Sequence, residues 1–490
     1  MSTKILLKDL IDPAEHPGIP ETLLESGISG ICTDSRRLEP GNLFVALAGT
    51  QRQGYEFISD AMERGARAVL VNETASGLPA STAQCCLIPV KDARAELTKI
   101  LQRFYGFPVG RPKIIGVTGT NGKTTITYLL ESIFQGAQHR CGVMGTVNHR
   151  FAETIFPVGN TTPGIADNYR ILAEMTTQGA DYVFMEVSSH ALDQKRVEGI
   201  DFAAGIFTNL TQDHLDYHKN TEEYFKAKAV LFKNLSSHAQ AVINADDPYG
   251  RQLSSMTGAR VVSYGVTGKA DMVAQDIHIG LRQTKFTIAG MGYRIPIVTS
   301  LFGRHNVYNI LAATALGLQE GLSPGHIQSG ISALSSVPGR MEAVFMGQNF
   351  EVFIDYAHTP DALENTLNSI KEIHPGKLVL VFGCGGDRDK GKRPLMGQIA
   401  DRLADHTIIT NDNPRTEEPE DIARGIVTGF SRQQPTVILD RKEAIARALA
   451  MAPPGSIVLI AGKGHEKYQI FKNRVIPFSE RKVIEELLKK

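Results

Sequence analysis

One stretch limits what this chain can fold into more than any other. Ile114-Ile115-Gly116-Val117 is an apolar, β-rich run, and Thr118-Gly119-Thr120-Asn121-Gly122 is a glycine-rich turn. Lys123-Thr124-Thr125 then leads into Ile126, Leu129, Leu130 and Ile133 at helical spacing. Strand, glycine loop and helix in that order make a cradle for phosphate. Glycines let backbone N–H groups turn inward, and the helix presents its positive end. The spacing predicts Lys123 against the β- and γ-phosphates of ATP and the Thr124 hydroxyl on Mg²⁺. The usual pattern carries glycine where Val117 stands; here the glycines fall at 116, 119 and 122. A plain glycine turn before an ordinary helix is the competing reading. It leaves the Gly-Lys-Thr-Thr ending and its strand-to-helix setting unexplained.

A chain of 490 residues exceeds what one core holds, so several domains are expected. Basic and acidic residues balance at 52 each, which excludes a chain-wide basic field for nucleic acid. The five cysteines (32, 85, 86, 141 and 384) form no C-x-x-C pair, so neither a zinc site nor a disulfide framework is expected. Met1-Ser2-Thr3-Lys4 does not open a signal peptide, and no apolar run reaches membrane-spanning length. These features lead to an expectation of a cytoplasmic protein with no membrane insertion.

The pattern predicts an α/β chain of three domains. Residues 1–110 read as a small α/β domain, with strands at 28–33, 43–48, 68–71 and 87–90 and helices at 60–65 and 93–105. Gly106 to Pro112 is a Pro/Gly-rich linker. Residues 111–337 alternate strands (114–117, 182–187, 203–207, 241–244, 261–264) with helical patterns, which implies a doubly wound, mostly parallel sheet. Strands at 284–289 and 293–298 read as an antiparallel addition, and 303–318 as an Ala/Leu-rich helix. Val337-Pro338-Gly339-Arg340 marks the next boundary. Residues 338–490 read as a Rossmann-like α/β domain with strands at 352–355, 378–382, 406–410, 436–439 and 456–460. Its own glycine turn, Gly383-Cys-Gly-Gly386, lacks the Lys-Thr of an ATP loop.

Ligands of such sheets collect at the carboxyl ends of strands. Three polar clusters lie there: Glu186-Val-Ser-Ser-His190, Asn209 to His218, and Asn244-Ala-Asp246-Asp247. Thr124, Glu186 and the Asp213/His214 pair are candidate donors for Mg²⁺, which prefers oxygen. Taken alone, His214 reads as a hydrogen-bonding residue. Arg340, in the hinge, and Arg415, in Asp412-Asn413-Pro414-Arg415, offer planar donors to phosphate or carboxylate. A turn with an exposed Arg is an equal reading of the second. Asp34-Ser35-Arg36 follows a strand end and reads as a binding turn or simply a polar one.

Seven motifs then occur in order: Thr118-Gly-Thr-Asn-Gly-Lys-Thr124, Asn160-Thr-Thr-Pro163, Glu186-Val-Ser-Ser-His190, Asp213-His-Leu-Asp-Tyr-His218, Gly303-Arg-His-Asn306, Asp355-Tyr-Ala-His-Thr-Pro360 and Asp412-Asn-Pro-Arg415. As an ordered set they resemble the Mur ligases of peptidoglycan precursor synthesis, and the likeness covers all three domains. The resemblance implies a reaction. ATP phosphorylates the D-glutamate γ-carboxylate of UDP-N-acetylmuramoyl-L-alanyl-D-glutamate, and the amine of meso-2,6-diaminopimelate displaces the phosphate. It also implies a monomer.

The resemblance further assigns roles. Gly119, Thr120, Asn121, Gly122, Lys123, Thr124 and Thr125 would hold the ATP phosphates. Asn306, Asn309, Arg340, Asp355 and His358 would complete the nucleotide site. Thr124, Glu186 and His214 would surround Mg²⁺ with Lys228, which matches the family's carbamylated lysine; Lys226 is its nearby rival. Lys123, Lys228, His214, Glu186 and Arg340 form the implied catalytic group. Ser35, Thr50, Asn160, Thr161, Thr162, Ser188, Gln194 and Arg196 would meet the UDP-sugar peptide, with Thr50 standing where relatives often carry His. Arg388, Asp412, Asn413, Pro414, Arg415, Gly462 and Glu466 would receive the amino acid. Arg415 would choose diaminopimelate over lysine by pairing with its second carboxylate. A folylpolyglutamate synthetase-like ligase, the same reaction with lysine, and an ATP-driven switch protein are the rivals.

Overall fold

The computed structural model describes residues 5–49, 52–106, 111–157, 159–211, 213, 217–472 and 474–489. The chain divides into two compact units.

The first unit joins residues up to 113 with 162–181 and 194–201. Its sheet is four parallel strands: Gly30–Cys32, Asn42–Val45, Ala68–Asn72 and Cys86–Val90. Sequence reading runs 28–33 as one strand. Gly27–Ile28 instead pairs antiparallel with Ile5–Leu6, and only Gly30–Cys32 enters the parallel sheet. Leu43, Val45, Leu70 and Ile88 pack on Leu97, Ile100 and Leu101 of the helix Ala93–Tyr105. The helix Ile165–Thr177 brings Ile165 and Tyr169 into the same core, although the sequence pattern groups it with the central strands. Asn168 Nδ2 fastens it by donating to Pro163 O at 3.1 Å and Arg196 O at 2.8 Å.

The second unit holds 114–161, 182–193 and 202–490. An eleven-stranded sheet runs in the order Thr154–Phe156, His149–Phe151, Cys141–Met144, Tyr182–Glu186, Lys113–Thr118, Phe202–Phe207, Gln240–Asn244, Arg260–Gly265, Met272–Ile279, Thr284–Gly290, Tyr293–Thr299. Its middle is parallel and both margins are antiparallel. The central strands are buried on both faces, so they read as continuous apolar runs rather than alternating ones. A six-stranded sheet follows: Glu342–Ala343, Glu351–Asp355, Ile457–Ala461, Leu378–Phe382, His406–Ile409, Thr436–Val437.

The helix Thr221–Lys233 shows how spacing sets a site. Tyr224, Phe225, Lys228, Leu231 and Phe232 form its buried stripe, and Lys226 falls on the wet face with a side chain 55% exposed. A lysine on the apolar stripe is placed by its neighbours' burial, whatever the cost to its own charge.

Candidate active site

The strand Lys113–Thr118 ends at the glycine loop, and the helix Lys123–Gly136 begins at once. Gly119 (φ +147) and Gly122 (φ +94) occupy backbone conformations that side chains rarely reach. A Cβ at 119 would stand 1.8 Å from Thr208 Oγ1, and one at 122 would stand 2.5 Å from Asn309 Oδ1. The loop is held from behind. Thr208 Oγ1 donates to Asn121 O at 2.6 Å, Asn121 N to Asn209 Oδ1 at 3.0 Å, and Thr120 N to Asn209 O at 2.8 Å. Asn306 Oδ1 accepts from Asn309 Nδ2 at 2.9 Å, so these two asparagines lie buried against the loop. Thr125 is buried in the first helical turn. Lys123 Nζ donates to Gly119 O and Thr120 O, both at 2.9 Å. Burial lowers its proton affinity, while Glu186 and Asp213 raise it and Arg340 lowers it again.

Beside Lys123, Lys228 is 1% exposed. Its Nζ donates to Gly119 O at 2.9 Å and lies 4.4 Å from the centre of the Tyr224 ring. Burial, and then the Lys123 charge, push its pKa well below lysine's ordinary value; Asp213 acts the other way. A shift in that direction favours the neutral amine, the nucleophilic form that adds to CO₂. Across the sheet, Glu186 is 1% exposed. Its Oε1 accepts from Thr146 N and its Oε2 from Thr146 Oγ1, both at 2.9 Å.

These groups suit Mg²⁺. Thr124 and Glu186 offer hard oxygen donors, as would a carbamate on Lys228. Nucleotide-bound Mg²⁺ needs few protein ligands, because phosphates and waters supply the rest. Accordingly, no group of three His, Cys, Asp or Glu stands ready to bind a metal among the described residues. His214 lies outside those residues.

The third polar cluster is spent on structure. Asn244 Nδ2 holds Thr208 O at 2.7 Å, Asp246 binds the Val266 and Thr267 amides and the Tyr308 hydroxyl, and Asp247 caps the helix Pro248–Ser254.

Arg340 joins the two sheets' sites. Its Nη2 reaches Thr124 Oγ1 at 3.3 Å, and its guanidinium lies 4.9 Å from the Tyr356 ring centre. Tyr356 in turn stands 5.0 Å from the His465 ring and 4.6 Å from that of His358. Asp355 is buried and accepts from Met341 N at 2.8 Å and Ala357 N at 2.9 Å, fixing the turns on either side of Arg340 and Tyr356. Burial raises its pKa, against Arg340 and these bonds. His358 and His465 are both pushed toward the neutral form, chiefly by burial, with His465 at about 4. Lys392 Nζ donates to His358 O at 2.9 Å. From the central sheet, Asp361 Oδ2 takes bonds from Thr211 Oγ1 at 3.0 Å and Asn121 Nδ2 at 3.3 Å.

Beyond His465 lies a compact polar pocket. Asn413 Nδ2 donates to Glu466 Oε2 at 2.8 Å, and Lys463 Nζ donates to Asn413 Oδ1 at 3.0 Å and Glu466 Oε2 at 2.9 Å. Arg415 has φ +55 and donates from Nη1 to Gly386 O at 2.7 Å. Its own amide and carbonyl pair with Ile470 and Lys472 of the hairpin formed by Tyr468–Phe471 and Arg474–Pro477. Gly462 (φ +114) lets Asp412 approach: a Cβ there would stand 2.7 Å from Asp412 Oδ2. Arg388 is exposed, its Cγ beside Gly385 together with the Arg415 guanidinium. Pro414 O lies where a side chain on Gly386 would fall.

The sequence matches three consecutive family domains: the Mur ligase family catalytic domain over 27–105, the Mur ligase middle domain over 117–317 and the Mur ligase glutamate ligase domain over 339–464. The UDP-N-acetylmuramoyl-L-alanyl-D-glutamate–2,6-diaminopimelate ligase 1 of Clostridium acetobutylicum is 41% identical, covering 94% of this chain and 95% of its own. The chain belongs to the Mur ligase family. A Geobacter metallireducens ligase of the same name, apart from the numeral, is 43% identical over 98% of this chain and 96% of its own. A solved structure of a ligase so named superposes with a TM-score of 0.69 at 33% identity, covering 99% of both chains.

Within this Mur ligase, the residues matched to the sugar substrate fall in both units. In the first, Ser35 is buried at the head of a short helical turn capped by Asp34, and it bonds to Asp60. Arg196 binds Gln194 Oε1 at 3.0 Å and 2.6 Å and Thr162 O at 3.1 Å. In the second, Thr161 Oγ1 is 3.0 Å from Thr146 Oγ1, Asn160 O meets His149 Nε2 at 3.1 Å, and Ser188 Oγ accepts from Ala191 N at 3.2 Å. Thr50 lies outside the described residues.

Sequence reading missed Thr146, Tyr356, Lys392 and Lys463. Lys392 stood in a basic run after the glycine turn, and Tyr356 and Lys463 stood beside residues already named. Thr146 follows a four-residue strand, Cys141–Met144, too short to announce itself.

Proposed function

We propose that this Mur ligase joins meso-2,6-diaminopimelate to UDP-N-acetylmuramoyl-L-alanyl-D-glutamate, using ATP to activate the γ-carboxylate as an acyl phosphate. One observation carries the reading. Thr124, Arg340, Tyr356 and His465 touch in succession, so the phosphate loop runs without a break to the pocket of Asn413, Arg415 and Glu466. A phosphoryl group made at one end can therefore be displaced by an amine held at the other.

The residues divide the work. Lys123, Asn121 and the loop amides orient the γ-phosphate. Thr124, Glu186 and a carbamate on Lys228 would hold Mg²⁺, which supplies charge neutralisation for the phosphates when bound. Arg340 faces the oxygens where negative charge grows during transfer. An amine cannot expel oxide from a carboxylate, but it expels phosphate readily. Glu466, held by Asn413 Nδ2, receives an ammonium group. Arg415 and Arg388 receive carboxylates, and lysine would leave such a guanidinium unpaired. We assign the reaction to the cytoplasm and to a monomer. All five cysteines are free, and no helix among the described residues is long and apolar enough to cross a membrane. Light scattering at assay concentration checks the monomer.

Oxygen transfer tests the chemistry. With the substrate's γ-carboxylate labelled with heavy oxygen, the released phosphate carries one labelled atom. Unlabelled phosphate would sink the acyl-phosphate route.

A further inference from the structure

Lys463 is the one residue of the amino-acid pocket that sits at its centre without having been assigned a task. It is 0% exposed, yet it carries an ammonium group. A buried charge persists only where partners replace its water. Its partners are Asn413 Oδ1 at 3.0 Å and Glu466 Oε2 at 2.9 Å, with the Tyr468 ring centre 5.8 Å away. Asn413 Nδ2 closes the triangle on Glu466 Oε2 at 2.8 Å, and Ile470 N adds a donor to Asn413 Oδ1 at 3.1 Å.

This triangle has two consequences. It fixes the Asn413 amide, because Oδ1 faces two donors and Nδ2 faces a carboxylate. It also loads both donated bonds on one oxygen of Glu466. Oε1 takes no hydrogen bond from the described residues, and the side chain is 19% exposed. A carboxylate with one oxygen anchored and the other open to the pocket is an oriented acceptor for an ammonium group.

The backbone around Lys463 is pinned to match. Gly462 (φ +114) and Gly464 (φ +54) flank it, and a Cβ on Gly464 would stand 2.9 Å from Tyr356 Cβ. Behind them the fully buried Arg441 donates to Asn411 O at 3.0 Å and Ala461 O at 2.8 Å, clamping the two strand ends that carry Asn413 and Lys463.

We propose that Lys463 is a positioning residue for amino-acid selection: with Asn413 Nδ2 it anchors Glu466 Oε2 and so aims Glu466 Oε1 at an ammonium group of the incoming amino acid. This rests on the reading that the pocket receives diaminopimelate. Lys463 touches no substrate in this role and acts through Glu466.

The test is steady-state kinetics on the full chain with Lys463→Gln, Glu466→Gln and the double variant, varying diaminopimelate, ATP and the UDP-sugar dipeptide in turn. Loss of one charge-assisted bond predicts that each single variant raises KM for diaminopimelate about tenfold to a hundredfold. KM for the other two substrates stays within about twofold, and the double variant matches Glu466→Gln within the same margin. Lys463→Met, similar in length and uncharged, stands in with the same expectations if the Gln variant does not fold. A Lys463 variant whose KM for diaminopimelate stays normal while that of Glu466→Gln rises overturns the proposal. So do constants for all three substrates rising together, or additive losses in the double variant. If Glu466→Gln itself leaves KM for diaminopimelate unchanged, it is the pocket assignment that fails.

Discussion

Arg415 shows how far one side chain can decide a substrate. Its guanidinium is tethered to Gly386 O by one nitrogen at 2.7 Å, in a backbone conformation (φ +55) that most residues avoid. Arg415→Ala removes the guanidinium proposed to choose diaminopimelate by its second carboxylate. The expected cost is about 3 kcal/mol, or roughly a hundredfold in kcat/KM for diaminopimelate. ATP affinity should persist, and lysine should become no worse a substrate than before. Unchanged efficiency with diaminopimelate would refute the assignment. Lys228 gives a second test at this scale. Its burial, which pushes the amine toward its neutral form, predicts a carbamate signal in carbon NMR after equilibration with labelled bicarbonate. Lys228→Met should lose that signal and nearly all ligase turnover while keeping its fold. A signal that survives in the variant would belong to another amine.

Short elements carry strain and ties that no single residue shows. Gly119→Ala must displace Thr208, whose hydroxyl stands 1.8 Å from the new Cβ, at a φ of +147. The expected loss is about 1–3 kcal/mol of stability, together with ATP binding, read by calorimetric titration and thermal unfolding. Normal ATP affinity would mean that the loop bends more freely than its contacts imply. The turns carrying Arg388 and Arg415 are tied by Glu417, which binds Arg393 at 2.9 Å and 3.0 Å and the Asp387 amide at 2.7 Å. Arg393, above all, lowers the Glu417 pKa from 4.5 to about 2. A depressed carboxylate stabilises the fold above its unfolded pKa and loses that contribution as pH falls. The wild type should therefore lose stability between about pH 4.5 and 2, and Glu417→Gln should be flatter across that window and weaker above it. Parallel curves in chemical denaturation would contradict this.

What the sequence makes legible follows the same division. The phosphate loop, the central strands and the ordered motifs are readable because each needs particular residues at fixed spacing. Lys228 is readable as a buried lysine once the stripe Tyr224, Phe225, Leu231 and Phe232 is recognised. The strand at 28–33 is misread as a single element, because Ile28 and Ile31 are both buried but in different sheets. Lys463 and Thr146 stay hidden, since their importance lies in partners fifty and forty residues away.

At the scale of the whole molecule, the proposed reaction draws one end from each of the two sheets of the second unit. The central sheet carries the phosphate loop, and the C-terminal sheet carries Arg340, His358 and the polar pocket. Neither end is a catalyst alone, because ATP without an acceptor should be hydrolysed slowly and an amine without an activated carboxylate should not react. The most direct measurement is phosphate release by the purified full chain in Mg²⁺ and ATP, with UDP-N-acetylmuramoyl-L-alanyl-D-glutamate and meso-2,6-diaminopimelate supplied singly and together. Phosphate should appear at the full rate only with both, one for each amide formed. Equal release with ATP alone would mean that the two ends do not serve one reaction.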